Sequence, residues 1–273
     1  MALKLSIFTT TTNAQRRGDL YHQALECYRE LADEVVVVNG GGQLTEKHGV
    51  KYVNHKWPQE FEWPLIGKQF TRGYNACTGS AVIHADLDFI FHQRDFEAIR
   101  QAAQRMLDEK LPALSFWKYQ FVLPDRYNLK SRLVIMVNKR DYGNKIKFDA
   151  SGDLAQPSLS SEYLSPNTIQ EARIPFYCYE KLLKTKEQIA DDQGRMERAW
   201  FRHFGEYQMG SDGTDESALD RWLKAQYGKL QKPQEHVKLE DHPKYVQETI
   251  KNLKPEQFGY SGFGKELNDY VKN

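Results

Sequence analysis

The run Glu34-Val35-Val36-Val37-Val38 constrains this chain most. Four consecutive β-branched residues favour extended backbone, and an unbroken apolar run offers no solvent face, so it predicts a strand covered on both sides. It stops at the glycine-rich turn Asn39-Gly40-Gly41-Gly42. An earlier apolar stretch, Leu3 to Phe8, is followed by the polar loop Thr9-Thr10-Thr11-Thr12-Asn13. Between the two, Leu20, Ala24, Tyr28 and Leu31 recur at helical spacing, with Arg16, Arg17, Glu26, Arg29 and Glu30 at solvated positions. Strand, helix, strand with a loop after each strand opens a doubly wound α/β domain, whose ligands bind outside the carboxyl ends of the strands. The loops after Phe8 and Val38 are therefore expected to face one crevice. The glycine run is neither a GxGxxG nor a P-loop motif, and three glycines also suit a plain turn.

A second constraint lies at Gly79 to Phe91. Ala81, Val82, Ile83 and Ala85 read as a buried strand that runs out into Asp86-Leu87-Asp88. Two carboxylates at a buried strand end repel each other and lose solvation, a cost that a cation or hydrogen bonds must offset. Mg²⁺ or Mn²⁺ is the simplest offset: such ions take one or two protein carboxylates and leave positions for substrate phosphates. Standing alone, an Asp-X-Asp turn equally suits a solvated strand end.

Elsewhere, Val50 to Val53 predicts a short third strand, and from Leu65 the pattern turns helical with Ile66, Phe70, Gly73 and Cys77 on the buried face. Lys68, Arg72 and Asn75 share another face, either solvated or turned to the crevice, where cations meet phosphates. Phe96, Ile99, Ala103, Met106 and Leu107 predict a helix, and Ala113 to Phe116 and Leu133 to Val137 further strands. The aromatic segment Phe116-Trp117-Lys118-Tyr119-Gln120-Phe121 between them reads as core or as a stacking floor. Residues 139–170 are polar and turn-rich, the expected acceptor-facing loop region. The remainder is helical, with Leu182, Ile189, Met196, Trp200 and Phe204 on one apolar face, then Asp215 to Leu230, then a helix after Pro243. The expected division is an α/β domain over residues 1–172 and a helical extension over 173–273 packed on it.

With 273 residues, 40% hydrophobic content and formal net charge +1, the chain can bury a sizeable core, and its charge gives no general reason to bind nucleic acid or anionic membranes. Cys27, Cys77 and Cys178 are odd in number and lack CxxC spacing, which argues against a disulfide framework or zinc site. No segment approaches the roughly 18 apolar residues of a membrane span. A cytoplasmic protein without a transmembrane segment is expected.

Four stretches in order, Ser6 to Asn13, Glu34 to Gly41, Arg72 to Ser80, and Ala85-Asp86-Leu87-Asp88, together resemble the GT-A fold glycosyltransferases, closest to glycosyltransferase family 2. The resemblance covers roughly residues 3 to 110. It implies a Rossmann-like, mostly parallel sheet flanked by helices, and an enzyme that uses a nucleotide-sugar donor and a divalent metal, Mn²⁺ or Mg²⁺. It implies Thr9, Thr10 and Asn39 near the nucleotide, Lys68 and Arg72 near it or its diphosphate, Asp86 at metal and donor, and Asp88 at the metal. Asn39 stands where the family usually has aspartate. Cys178 stands where related proteins often carry a histidine that completes the metal site, and a thiol suits a hard cation poorly; His203 and His242 are kept out of the ligand set. The inverting transfer that the resemblance implies needs a carboxylate to take the acceptor hydroxyl's proton. Asp149, Asp153 and Glu162 lie in the loop-rich region, and Asp153, beside Gly152, is the expected base.

A nucleotidyltransferase acting on a sugar phosphate would also place paired carboxylates over phosphates, and a sugar- or nucleotide-binding module without catalysis is a third reading. The acceptor is open: a glycan, a protein, a lipid-linked intermediate or a modified nucleic-acid base.

Overall fold

The computed structural model describes residues 2–42, 44–149, 156–208 and 210–263. The chain opens with β1 (Leu5–Thr11), α1 (Ala14–Arg17), α2 (Tyr21–Leu31), β2 (Glu34–Asn39) and β3 (Val50–Asn54). It continues through α3 (Leu65–Ala76), β4 (Ala81–His84), β5 (Phe89–Ile90), α4 (Phe96–Asp108), β6 (Ala113–Leu123), β7 (Arg126–Asn138) and α5 (Lys139–Tyr142). A small sheet of β8 (Ile146–Asp149), β9 (Gln156–Leu159) and β10 (Glu162–Tyr163) precedes β11 (Glu171–Cys178). The last third carries α6 (Lys186–Phe204), α7 (Asp215–Leu230), β12 (Glu235–His236), α8 (Lys244–Lys251) and α9 (Phe258–Ser261).

The central sheet has the order β3-β2-β1-β4-β7-β6-β11-β5, with β12 beside β7. β3, β2, β1 and β4 are mutually parallel, and β6 and β11 are parallel to each other. Only β7 and β5 run against them. This is the mostly parallel α/β sheet that the apolar runs predict. Its strands alternate as a doubly covered sheet must. Leu5, Ile7, Val35, Val37 and Ile83 join the core beneath α2 and α4, whereas Phe8, Val36 and Val82 join the core beneath α3. Four consecutive valines are thus all consumed by packing, two on each face.

The close approach of α3 depends on Gly73. A Cβ at Gly73 would collide with the Phe8 ring, which sits edge-on to Phe70 at 5.9 Å and to Phe148 at 5.5 Å. The smallest residue therefore faces a large one, and the helix seats on β1.

Three sequence expectations need correction. The aromatic segment Phe116 to Phe121 does not lie between two strands but inside β6, which forms a long hairpin with β7. Aromatic side chains suit a pleated surface, and cross-strand stacking of Tyr119 on Tyr127 at 4.3 Å supports the longer pairing. Residues 139–170 are not only loop, because they carry β8, β9 and β10. β11 also runs across the expected division at residue 172 and belongs to the central sheet, so the helical segment begins after it. Among the described residues no helix is long and apolar enough to cross a membrane, and all three cysteines are free and buried.

Replacing Gly73 by Val should overpack the Phe8 contact and lower stability by about 1–3 kcal/mol. Urea unfolding checks this; an unchanged midpoint would mean that Phe8 yields without cost.

Candidate active site

The carboxyl ends of β1, β4, β6 and β11 open into a cavity of about 590 Å³, which α6 closes from the C-terminal side. From β1 it receives Thr10, and from the turn after α1 it receives Arg17, Gly18 and Asp19. Gly18 ends α1 at φ 64°, in the left-handed region that glycine enters without strain, and a Cβ there would meet the Gln188 amide at 2.6 Å. That reversal brings Arg17 and Asp19 to α6.

Asp86-Leu87-Asp88 forms a tight turn between β4 and β5, closed by the Phe89 N–H donating to the Asp86 carbonyl at 2.9 Å. The turn is clamped from both sides. The buried Tyr28 hydroxyl lies 2.6 Å from the Asp86 carbonyl and 2.7 Å from that of Phe89, donating into the pair. On the other side β5 pairs with β11, and the Tyr179 N–H donates to the Asp88 carbonyl at 3.0 Å.

Both carboxylates line the cavity, half-buried. The Cys178 thiol donates to Asp88 Oδ2 at 3.3 Å. Burial and the nearby Asp88 charge keep that thiol protonated, well above its ordinary pKa. Cys178 therefore serves the site as a hydrogen-bond donor. No described group donates a hydrogen bond to the Asp86 carboxylate, and burial together with the adjacent Asp88 pushes Asp86 up to about 7. An undersolvated carboxylate beside a second one is a donor set that fits a hard divalent cation. Among the described residues no group of three or more His, Cys, Asp or Glu is placed to hold a metal ion. The remaining ligands of such an ion would be substrate oxygens and water.

The cavity lining also carries a cluster of cations. Lys181 and Lys184 both reach Asp192 Oδ2 at 2.7 Å, Arg17 Nε lies 3.0 Å from Asp192 Oδ1, and Lys184 also pairs with Asp19 at 2.6 Å. Asp192 is held well below the carboxylate range by Lys181, Arg17 and Lys184 despite its burial. Burial and the neighbouring Lys184 and Arg17 charges pull Lys181 down even with Asp192 in contact. Three cations crowd one carboxylate, and Arg195 adds a fourth positive charge on the same wall. Lys118 sits on the Asp86 and Asp88 side, on β6, with Gln120 two residues on; Gln120 donates to Glu180, which Lys229 approaches at 3.5 Å. His84 is buried against Phe8, Phe70 and Phe148, and burial pushes it down to about 3, so it stays neutral.

The structure brings together Thr10, Asp86 and Asp88 from the sequence candidates. Thr9 is buried at the end of β1 outside the lining, with its hydroxyl unpaired among the described residues. Asn39 donates to Asn54 at 3.0 Å and accepts from the Gly41 N–H at 3.0 Å, so its side chain ties the glycine loop to β3. Lys68 and Arg72 are not brought to the cavity. They lie on the exposed face of α3, because the cavity side of that helix is Ile66 and Phe70. Asp153 lies outside the described residues, and Glu162 is exposed on β10. His242 is structural, bonded to the Tyr179 hydroxyl at 2.9 Å and to the Pro124 carbonyl at 2.8 Å, and His203 is exposed. Sequence reading missed Arg17, Lys118, Lys181, Lys184, Asp192 and Arg195. Only Lys118, a lone charge alternating with apolar residues, carries a local signal.

Two outcomes follow. Tyr28→Phe should cost about 1–3 kcal/mol in urea unfolding, because two buried carbonyls lose their donor. Asp192→Asn should cost about 3–5 kcal/mol at pH 7 by leaving buried cations unpaired. Since the folded-state pKa of Asp192 is depressed, its contribution is fully present above the unfolded value of about 4 and is lost as pH falls through the folded value. The wild type should therefore lose stability between pH 5 and pH 2 more steeply than Asp192→Asn, read from melting temperature against pH; parallel profiles would contradict this assignment.

No protein-family model matches the chain, and no curated protein matches it significantly. Among solved structures it is similar to the mannosyltransferase PcManGT from Pyrobaculum calidifontis in complex with GDP-Man and Mn2+, at 11% identity over 100% of this chain and 87% of that one, TM-score 0.41. It is also similar to S. aureus TarS, at 11% identity over 99% of this chain and 55% of TarS, TM-score 0.38, and to TarS 1-349, at 12% identity over 98% and 89%, TM-score 0.40. These are distant likenesses of chain course.

Proposed function

We propose that the cavity is the donor site of a glycosyltransferase, which moves a sugar from a nucleotide-sugar to an acceptor hydroxyl. The observation that carries this reading is the division of charge in one cavity. Asp86 and Asp88 share its lining with Arg17, Lys181, Lys184 and Arg195, which outnumber Asp19 and Asp192. A ligand that carries phosphates, together with a divalent cation, neutralises both sets of charge at once. Mn²⁺ or Mg²⁺ would be held by Asp86 and Asp88 and would supply charge neutralisation at the departing phosphates.

This chain's own residues do the rest. Thr10, which lines the cavity, would face the nucleotide, with Thr9 and Asn39 near it at the ends of β1 and β2. Breaking the anomeric carbon to phosphate bond builds negative charge on the leaving group, and fixed cations stabilise it without reorganising. Arg17 and Lys118 are within electrostatic reach of the Asp pair and take this role. The sugar passes through an oxocarbenium-like state as its bond to the diphosphate lengthens. In an inverting transfer the acceptor hydroxyl attacks from the opposite face and gives its proton to a carboxylate, for which the sequence offers Asp153.

The test is a thermal-shift and turnover panel with UDP-, GDP-, CMP- and dTDP-sugars, with and without Mn²⁺ or Mg²⁺. One donor should give a metal-dependent rise in melting temperature. That rise should grow from pH 6 to pH 8, because Asp86 titrates at about 7 and only its ionised form binds the cation. Asp88→Asn should abolish the metal dependence and lower turnover by about 100-fold or more with the fold intact. A released nucleoside diphosphate marks glycosyl transfer, and pyrophosphate would mark nucleotidyl transfer. Full activity in Asp88→Asn would sink the assignment.

A further inference from the structure

Arg195 is an anomaly within the cationic wall. It is 4% exposed and lines the cavity, yet its guanidinium has no hydrogen bond or ion pair among the described residues. It is held only by rings, lying 5.2 Å from the centroid of Phe61 and 5.9 Å from that of Trp57. Trp57 lines the same cavity, and its indole Nε1 is also buried and unpaired among the described residues. Both groups can only donate hydrogen bonds. A buried donor without an acceptor costs stability, and a buried unpaired charge costs more. Asp192, Asp191 and Asp19 offset only part of that cost: burial and the Arg17 charge outweigh them and lower Arg195 to about 10, although it stays cationic at neutral pH.

The position of the pair is built. The backbone N–H of Trp57 donates to the Gly40 carbonyl at 2.6 Å, and a Cβ at Gly40 would lie 2.5 Å from the Trp57 Cβ. The glycine loop after β2 therefore sets the indole. Arg195 projects from α6, three residues after Asp192. Its strongest electrostatic neighbours are Arg17, Asp192, Asp191 and Asp19, whereas Arg17 senses Asp86 and Asp88.

We propose that Arg195 and Trp57 form an oxyanion subsite of the cavity, which takes a phosphoryl or carboxylate group of the substrate. The inference rests on the reading of this cavity as a substrate site, and it makes Arg195 a specificity-determining residue. The occupant accepts hydrogen bonds from the guanidinium and from the indole N–H, and it cancels a charge that the folded protein offsets only in part.

Isothermal titration of the full chain with inorganic phosphate, pyrophosphate and glucuronate tests this directly and separates the two sources of oxyanion. At least one probe should bind, more weakly as salt rises. Arg195→Met should weaken that binding by about 10- to 100-fold, the loss expected for hydrogen bonds to a charged group. Trp57→Phe, which keeps a ring beneath Arg195 but lacks the N–H, should weaken it less. Arg195→Met should melt no lower than the wild type, since it removes a buried charge whose burial cost outweighs the help of Asp192, Asp191 and Asp19. Binding of no probe, unchanged binding in Arg195→Met, or a marked fall in its melting temperature would overturn the subsite. Oxyanion binding that depends on Arg195, without turnover of any donor, would remove the glycosyl-transfer reading and leave the subsite. Donor turnover unaltered in Arg195→Met would do the reverse.

Discussion

Charge inside a cavity must be balanced locally, and the two charge clusters of this cavity are balanced differently. In the cationic cluster, Asp192 is shared by Lys181, Lys184 and Arg17, so the protein has assembled more positive charge than it neutralises. Asp86 and Asp88, by contrast, sit with one thiol donor, and with Lys118 and Arg17 in electrostatic reach. Burial makes both imbalances costly, because the medium screens them less than water would. A structure under selection for stability alone would replace such groups with apolar ones. Their retention at the carboxyl edge of a parallel sheet, where side chains from several strand ends converge, is what makes the cavity a site.

Position at the aspartate turn is set by backbone interactions. Tyr28, from α2 on the far face of the sheet, fixes the carbonyls of the Asp-Leu-Asp turn, and β5 fastens its exit to β11. Cys178 fits this frame. At its position a soft sulfur ligand would compete poorly for a hard cation. Held protonated, it instead donates to one oxygen of Asp88 and leaves the other free. Cys178 thus has the job of orienting a carboxylate rather than completing a metal site.

The fold was legible wherever one local pattern decided the outcome. Val35 to Val38, the helical spacing of Ile66, Phe70 and Gly73, and the boundaries Asp215 to Leu230 all rest on periodicities that short-range physics enforces. The aromatic segment of β6 was misplaced because its strand character depends on a partner, β7, that only tertiary pairing supplies. The site divided in the same way. Asp86 and Asp88 announce themselves by two charges ending an apolar strand. Lys68 and Arg72 satisfied the right spacing, but helical spacing fixes only that two residues share a face, and the rotation of α3 is set by Gly73 seating on Phe8. Arg17 and Asp192 are ordinary surface residues in any window of sequence and become a pair only when α1 meets α6.

That meeting changes what the C-terminal segment is. A helical stretch after a complete α/β sheet reads as an appendage, yet α6 supplies Asp192 and Arg195 to the cavity, and its first turn receives Gly18 against Gln188. The Arg17 to Asp192 contact closes a loop of most of the domain's length, and loop closure of that size is entropically costly before other contacts compensate. The pre-organised wall therefore depends on the docking of α6 across the carboxyl edge of the sheet. The aspartate turn is built by elements between residues 21 and 179, whereas the cationic wall is built by the docking of α6. Separate construction lets the two clusters in the cavity hold opposite charge without collapsing into ion pairs with each other, and that separation preserves room for a ligand between them.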